Sequence, residues 1–306
     1  MALADTLICQ SSCFHFTFNP RSQLHVRLAA AYAHTEYPTR MLIEPFLIAQ
    51  LAVLGICTGF LAGLLGIGGG MLMVPFMTFI LTAKGFPQNY TVKMAVASSL
   101  ATICFTSLSS VLAHQKRGAV IWPVVRLLAP GILLGSLLGA QIAVALSGKV
   151  LSVLFAIFVA FSATQMFIDR KPKPSRILPG GVGMFSVGGL IGILSALVGA
   201  GGAFVSVPFM TWCNVKIHQA VGTSAALGFP IALAGTLGYI WAGQDLPPMP
   251  AGSVGYLYLP GIIVIALASM TSAPLGARTA HRMDIRPLKK VFAFFLYLLA
   301  GYFLLH

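Results

Sequence analysis

Charge is what this sequence has least of. Of its 306 residues 8% are charged, and only six are acidic against 19 lysines and arginines. With 58% of positions apolar, that scarcity excludes a soluble globular chain. The net charge of +13 does not point to nucleic acid, because the basic residues sit in short loops between apolar runs, where they set membrane orientation. Five cysteines (Cys9, Cys13, Cys57, Cys104, Cys213) lack metal-ligand spacing, and the last three lie inside apolar runs, so no metal centre is expected. No Cys/His or Ser/His/Asp set falls at membrane depth, which argues against an enzyme and leaves no cofactor implied. A central carboxylate pair of the kind a proton pump uses is also missing. Glu44, Arg126, His114, His218 and His281 all lie near run ends, where side chains reach the interface.

What the chain does have is apolar sequence. Runs cover about 42–66, 71–83, 93–113, 122–146 and 150–168, then about 182–200, 203–213, 219–241, 254–275 and 287–305. They are apolar on all sides, so the alternation of a membrane β-barrel is absent and an all-α polytopic membrane protein is predicted. Residues 1–40 are polar and arginine-bearing without a signal-peptide core. They read as a disordered extension, or as a start assigned too early with Met41 as the true first residue. The first transmembrane repeat is then 41–168, the hydrophilic linker 169–181, and the second repeat 182–306.

The division into repeats rests on a motif present twice. Gly59 to Met77 reads GFLAGLLGIGGGMLMVPFM, and Gly192 to Met210, displaced by 192 − 59 = 133 positions, reads GILSALVGAGGAFVSVPFM, with ten of nineteen positions identical. Ala95-Val96-Ala97-Ser98-Ser99 likewise matches Ala220-Val221-Gly222-Thr223-Ser224, and Pro130-Gly131-Ile132 matches Pro260-Gly261-Ile262. Five segments per half is an odd number, so consecutive halves enter the membrane from opposite sides as inverted repeats. Starting outside places Lys116, Arg117, Arg170, Lys171, Arg278 and Arg282 inside, as the positive-inside rule requires. Lys84, Lys93 and Lys149 stay outside, and Lys216 depends on whether each broken segment is a hairpin.

The stripes Gly55/Gly59/Gly63, Gly188/Gly192/Ala196 and Gly131/Gly135/Gly139 have the spacing of close helix packing, and packing explains them. The cluster Gly66, Gly68, Gly69, Gly70 is dense enough to break a helix, as are Gly199, Gly201 and Gly202. Irregular backbone at membrane depth must be buried in protein or line a wet cavity. A helix restarting there presents bare N–H groups and the positive end of its dipole, an anion-binding arrangement. Pro75 and Pro208 follow and mark kinks. Ser98, Ser99, Thr223 and Ser224, at matching places in both halves, are candidate donors to substrate oxygens, with Thr102 beside them. A tight surface turn for the glycines and back-bonding for the hydroxyls are the plainer readings. A GxGGG without a strand–helix unit or a following Lys-Ser/Thr is neither a dinucleotide nor a P-loop signature.

The stretch from Gly63 to Pro75, its copy from Ala200 to Pro208 and the Ala-Val-x-Ser/Thr-Ser pieces at 95–99 and 220–224 resemble the sulfite exporter TauE/SafE family of membrane permeases, over about 42–305. The resemblance implies transport of a small anion, such as sulfite, an organosulfonate or a related carboxylate, across the bacterial cytoplasmic membrane. The chain departs from internal symmetry at Ala203, where the first copy has Gly70. Three functions follow from these features. The first is a secondary transporter that binds its anion at facing helix breaks near the midplane and works by alternating access. The second is an anion channel of similar architecture. The third is a non-transporting scaffold or assembly protein, which predicts a site region plugged by side chains. The lipid bilayer and a small anion are the expected partners, and oligomeric state is open.

Overall fold

The computed structural model describes residues 45–65, 69–168, 177–244, 246, 252–280 and 286–305. The extension 1–40, Gly66 to Gly68 and most of the linker lie outside the described residues. The described chain forms ten helices: α1 (Pro45–Leu65), α2 (Gly70–Ala83), α3 (Gln88–Gln115), α4 (Trp122–Ala145), α5 (Gly148–Ile168), α6 (Gly181–Val198), α7 (Ala203–Trp212), α8 (Ile217–Ala242), α9 (Leu259–Ala280) and α10 (Arg286–Leu305). A two-stranded antiparallel ribbon, β1 (Ser253–Val254) and β2 (Leu257–Tyr258), precedes α9. Seven helices are long and apolar enough to cross a membrane, while α2, α7 and the apolar stretch of α10 (Lys290–Leu305) are shorter. This is the all-α polytopic membrane fold read from composition.

Two helix starts differ from the hydropathy pattern, each for a local reason. Helix α3 begins at Gln88 rather than near 93, because the Pro87 carbonyl accepts from the N–H groups of Tyr90 and Thr91 and nucleates a polar first turn. The apolar run expected from about 254 is not helical until Leu259, because residues 253–258 pair as the ribbon. Elsewhere the signals are ordinary. Pro123 sits in the first turn of α4, where its missing N–H costs nothing. Ser147 caps α5, accepting from the N–H of Val150 at 3.3 Å.

The two most extensive helix pairings, α1 with α9 and α4 with α6, both cross between the halves. Glycines seam them. A Cβ on Gly55 would meet Ile265 and Ala268, and one on Gly59 would meet Ser269 and Ser272. One on Gly131 would strike the Phe185 carbonyl, and one on Gly135 the Gly189 carbonyl. The packing role assigned to these stripes therefore holds where the residues are described.

Exchanging the halves, so that α1 to α5 trade places with α6 to α10, maps this pairing onto itself. The pair α1·α9 becomes α4·α6, α3·α9 becomes α4·α8, and α2·α3 becomes α7·α8, while α3·α8 and α5·α10 are unchanged. The equivalent helices run antiparallel where they touch. Leu100 meets Gly235 while Ser107 meets Gly228. Phe155 packs on Phe303 while Thr164 bonds Tyr297. Helix α2 folds back along α1, since Gly69 lies against Thr58 and Ala62 whereas Met77 reaches Gly261 at the start of α9. The broken segment is thus a hairpin. Gly222 packs on Ala119, so the start of α8, and Lys216 with it, falls at the Lys116 end of the molecule.

Candidate functional site

The two breaks meet. A Cβ on Gly70, the first residue of α2, would strike the Gly199 carbonyl oxygen and lie 3.1 Å from the Cα of Ala200 and 2.9 Å from Ile103. The carbonyl of Gly201 lies 3.7 Å from the corresponding point on Gly228. Ile103 and Gly228 are close to the middles of α3 and α8, which places both turns at mid-depth of the bundle. Gly69 (φ +67°) and Gly202 (φ +73°) occupy the same place, the N-cap of the returning helix, in the same left-handed conformation. A side chain there would cost about 1–2 kcal/mol in backbone strain, which is why both copies keep glycine. Gly199 (φ +70°) ends α6, and the Ala200 N–H bonds back to the Ser195 carbonyl at 3.1 Å in the manner of a Schellman turn. Gly66 and Gly68 lie outside the described residues.

Among the described residues, the returning helices start with bare donors. Leu72 and Met73 donate to the Gly69 carbonyl, as Val205 and Ser206 do to that of Gly202. The amides before them, Gly70 and Met71 in one half and Ala203 and Phe204 in the other, find no backbone acceptor among the described residues. All four residues are buried. A buried donor left unmade costs roughly 1–3 kcal/mol, so this cluster is unfavourable unless something accepts from it. Pro75 and Pro208 lie inside α2 and α7, one turn beyond these donors.

The four predicted hydroxyls divide into two kinds. Ser98 Oγ accepts from the Tyr258 N–H at 3.1 Å, and Thr223 Oγ1 accepts from the Ile121 N–H at 3.0 Å. Each thereby pins the residue just before the fourth helix of the opposite half. That role is shared, symmetric and structural. Ser99 Oγ instead donates to the Gly199 carbonyl at 2.8 Å, tying the middle of α3 to the second break. Ser224 Oγ bonds Ser206 Oγ at 2.7 Å, in the first turn of α7. Thr102 donates back to the Ser98 carbonyl.

Two residues beside the breaks, and the partner of Lys93, escaped the sequence reading. Ser206 was visible as the hydroxyl that the second motif carries where the first has Met73. Tyr239, fully buried on α8, donates to the Ala196 carbonyl at 3.2 Å, one turn before the second break, and packs on Tyr256 of the ribbon. Burial pushes the phenols of Tyr256 and Tyr258 up, the former helped by neighbouring Tyr90, so both ribbon tyrosines are neutral at physiological pH. Lys93 is 7% exposed, the one buried charged residue among those described, and its ammonium donates to the Val144 carbonyl at 2.7 Å, capping the C-terminal end of α4. Nothing in its sequence neighbourhood announces that partner, which is 51 residues away.

Space at the junction is scant. A small apolar cleft lies between Leu61, Ala62, Gly69, Met71, Leu72 and Phe204, with Phe292 of α10 behind it. No group of three or more metal-ligating side chains is present among the described residues.

The sulfite exporter TauE/SafE family profile matches residues 51–303. The chain belongs to this family. A probable membrane transporter protein of Haemophilus influenzae is 35% identical over 263 residues, covering 83% of this chain and 97% of the relative. Probable membrane transporter proteins of Methanocaldococcus jannaschii and of Bacillus subtilis are each 26% identical, covering 79% and 77% of this chain and 90% and 89% of the relatives. No solved structure matches the chain significantly. As a TauE/SafE member the chain is a multi-pass membrane permease rather than a member of an enzyme family, and bacterial relatives make the cytoplasmic membrane its expected location.

Proposed function

We propose that this protein is a secondary transporter of a small anion, of the sulfite, organosulfonate or small-carboxylate class, held between the two helix breaks. The observation carrying the proposal is the pair of left-handed glycine turns in direct contact at mid-depth, with four buried amides aimed forward of their helices. In this reading Gly69, Gly70, Gly201 and Gly202 shape the cradle, and the amides of Gly70, Met71, Ala203 and Phe204 donate to the anion. Ser99 and Ser224 sit beside it and redirect their hydroxyls when substrate arrives. Gly199 completes the second turn, and the expected roles of Gly66 and Gly68 fall outside the described residues. Ser98 and Thr223 hold the frame.

The halves are related as inverted repeats, a relation supported by the antiparallel pairing of α3 with α8 and of α5 with α10. Alternating access then follows by rocking one half on the other about the glycine seams. Tight packing at the junction is also what a scaffold would have. A carrier, however, keeps one side of its junction sealed in every state of its cycle, and the transporter names of its relatives favour the carrier.

The test is flux into proteoliposomes loaded with sulfite, thiosulfate, sulfoacetate or small carboxylates, read beside thermal stabilisation of the purified protein by the same panel. Saturable flux with countertransport of one class supports the carrier. Flux that does not saturate supports a channel, and absence of both flux and stabilisation across the panel overturns the reading.

A further inference from the structure

Helices α3 and α8 occupy equivalent places, yet their outer halves differ in chemistry and in openness. Beyond Ser99, α3 carries Thr102, Thr106 and Ser110, at spacings of three and four residues that keep them on one face of a helix. The opposite face carries Leu108 and Leu112, 51% and 59% exposed, as expected against lipid. Thr102 is buried, but Thr106 and Ser110 are partly exposed although they point away from that lipid face. Thr106 reaches its own helix carbonyls only at 3.4 Å, and Ser110 has no hydrogen-bond partner among the described residues. The row spans about 16 Å from Ser99 to Ser110, roughly half the hydrocarbon thickness of a bilayer. It ends at Lys116 and Arg117, both exposed.

The matching positions on α8, displaced by 224 − 99 = 125, are Leu227, Ile231 and Gly235. All three are buried and none can donate a hydrogen bond from a side chain. That side is closed further by the ribbon, whose Tyr256, Leu257 and Tyr258 are buried and whose Tyr258 N–H is tied to Ser98.

From this contrast we infer that the structure is the state open toward the Lys116 end, and that Thr106 and Ser110 line the route by which an anion passes between that surface and the breaks. Loosely held hydroxyls can turn to donate to a passing oxyanion, and the basic end concentrates anions at the mouth. Ile231, which lies against Gly202 at the second break, and Leu100, which fills the space beside Gly235, seal the other route in this state. The inference rests on the transporter reading above, but it is tested by access rather than by flux.

The experiment uses the full-length protein in membrane vesicles of both orientations, with its native cysteines replaced by serine or alanine. Thr106→Cys, Ser110→Cys, Ile231→Cys and Ala234→Cys are each treated with a membrane-impermeant anionic thiol reagent and with its cationic counterpart, and Lys116→Cys marks the side. Labelling of 106 and 110 from the side that reaches 116, about tenfold faster with the anionic than the cationic reagent and with little labelling at 231 and 234, is the expected result. No labelling at 106 and 110, labelling from the far side only, equal labelling at 231 and 234, or equal rates with both reagents would each overturn the route. Flux of the unlabelled variants is measured separately, so a dead transporter with the expected labelling faults the functional reading alone.

Discussion

The two copies of the glycine–proline motif share a backbone but not a lining, and the contrast separates what builds the fold from what uses it. Gly69 and Gly202 adopt the same left-handed turn, and Ser98 and Thr223 pin the same kind of lead-in across the halves. Gly70, however, lies where a methyl group would collide with the Gly199 carbonyl, whereas its counterpart is already Ala203. Ser206 pairs with Ser224 in the second copy, while the first has Met73 in that place. Positions that hold the halves together are thus chemically matched, and positions facing the junction are free to diverge.

The sharpest way to break this comparison is to exchange the unmatched pair. Gly70→Ala is expected to force the breaks apart, abolish flux and destabilise by about 1–3 kcal/mol, the range for overpacking a tight core. Ala203→Gly is expected to cost no more than about 1 kcal/mol and to retain flux. Similar losses in both variants, by flux and detergent melting, would mean that the breaks are equivalent after all.

The matched pair comes next. Ser98→Ala and Thr223→Ala each remove the acceptor of a backbone N–H, for an expected loss of about 1–3 kcal/mol apiece in thermal unfolding. A large effect at one and none at the other would dissolve the symmetry of the staple. A subtler sharpening uses the second-half hydroxyls. Ser224→Ala and Ser206→Ala are each expected to destabilise, whereas the double variant recovers about 1 kcal/mol of the summed loss, a coupling that a double-mutant cycle reads directly. The smallest effect is expected at exposed His218, the counterpart of Lys93. His218→Met should lie within about 0.5 kcal/mol of the parent. Lys93→Met should lose more, because the Val144 carbonyl at the end of α4 then has no cap.

Much of the frame was legible because it is repetitive. The ten apolar segments, the two breaks and the packing glycines announce themselves through hydropathy and spacing, signals that need no knowledge of neighbours. Lys216 could not be placed until the hairpin was known, and Gly222 lying against Ala119 supplies that. The ribbon at 253–258 hid inside an apolar run, since two strands of two residues are too short for alternation to register. The division of the hydroxyls into frame and junction was not readable. Ser98 and Thr223 find partners 160 and 102 residues away, and no local pattern carries such distances. Thr106 and Ser110 passed unnoticed because a hydroxyl in an apolar helix ordinarily bonds to its own backbone, and only their partial exposure marks them out.

The seam between α1 and α9 joins the first helix of the described chain to the next to last. A ribosome therefore delivers α1 into the bilayer long before the surface it must lie against exists, and α4 likewise waits for α6. Insertion and folding are separate events here: the nascent first half resides in lipid with its glycine grooves unfilled, and cooperative structure arrives only when the closing helices are made.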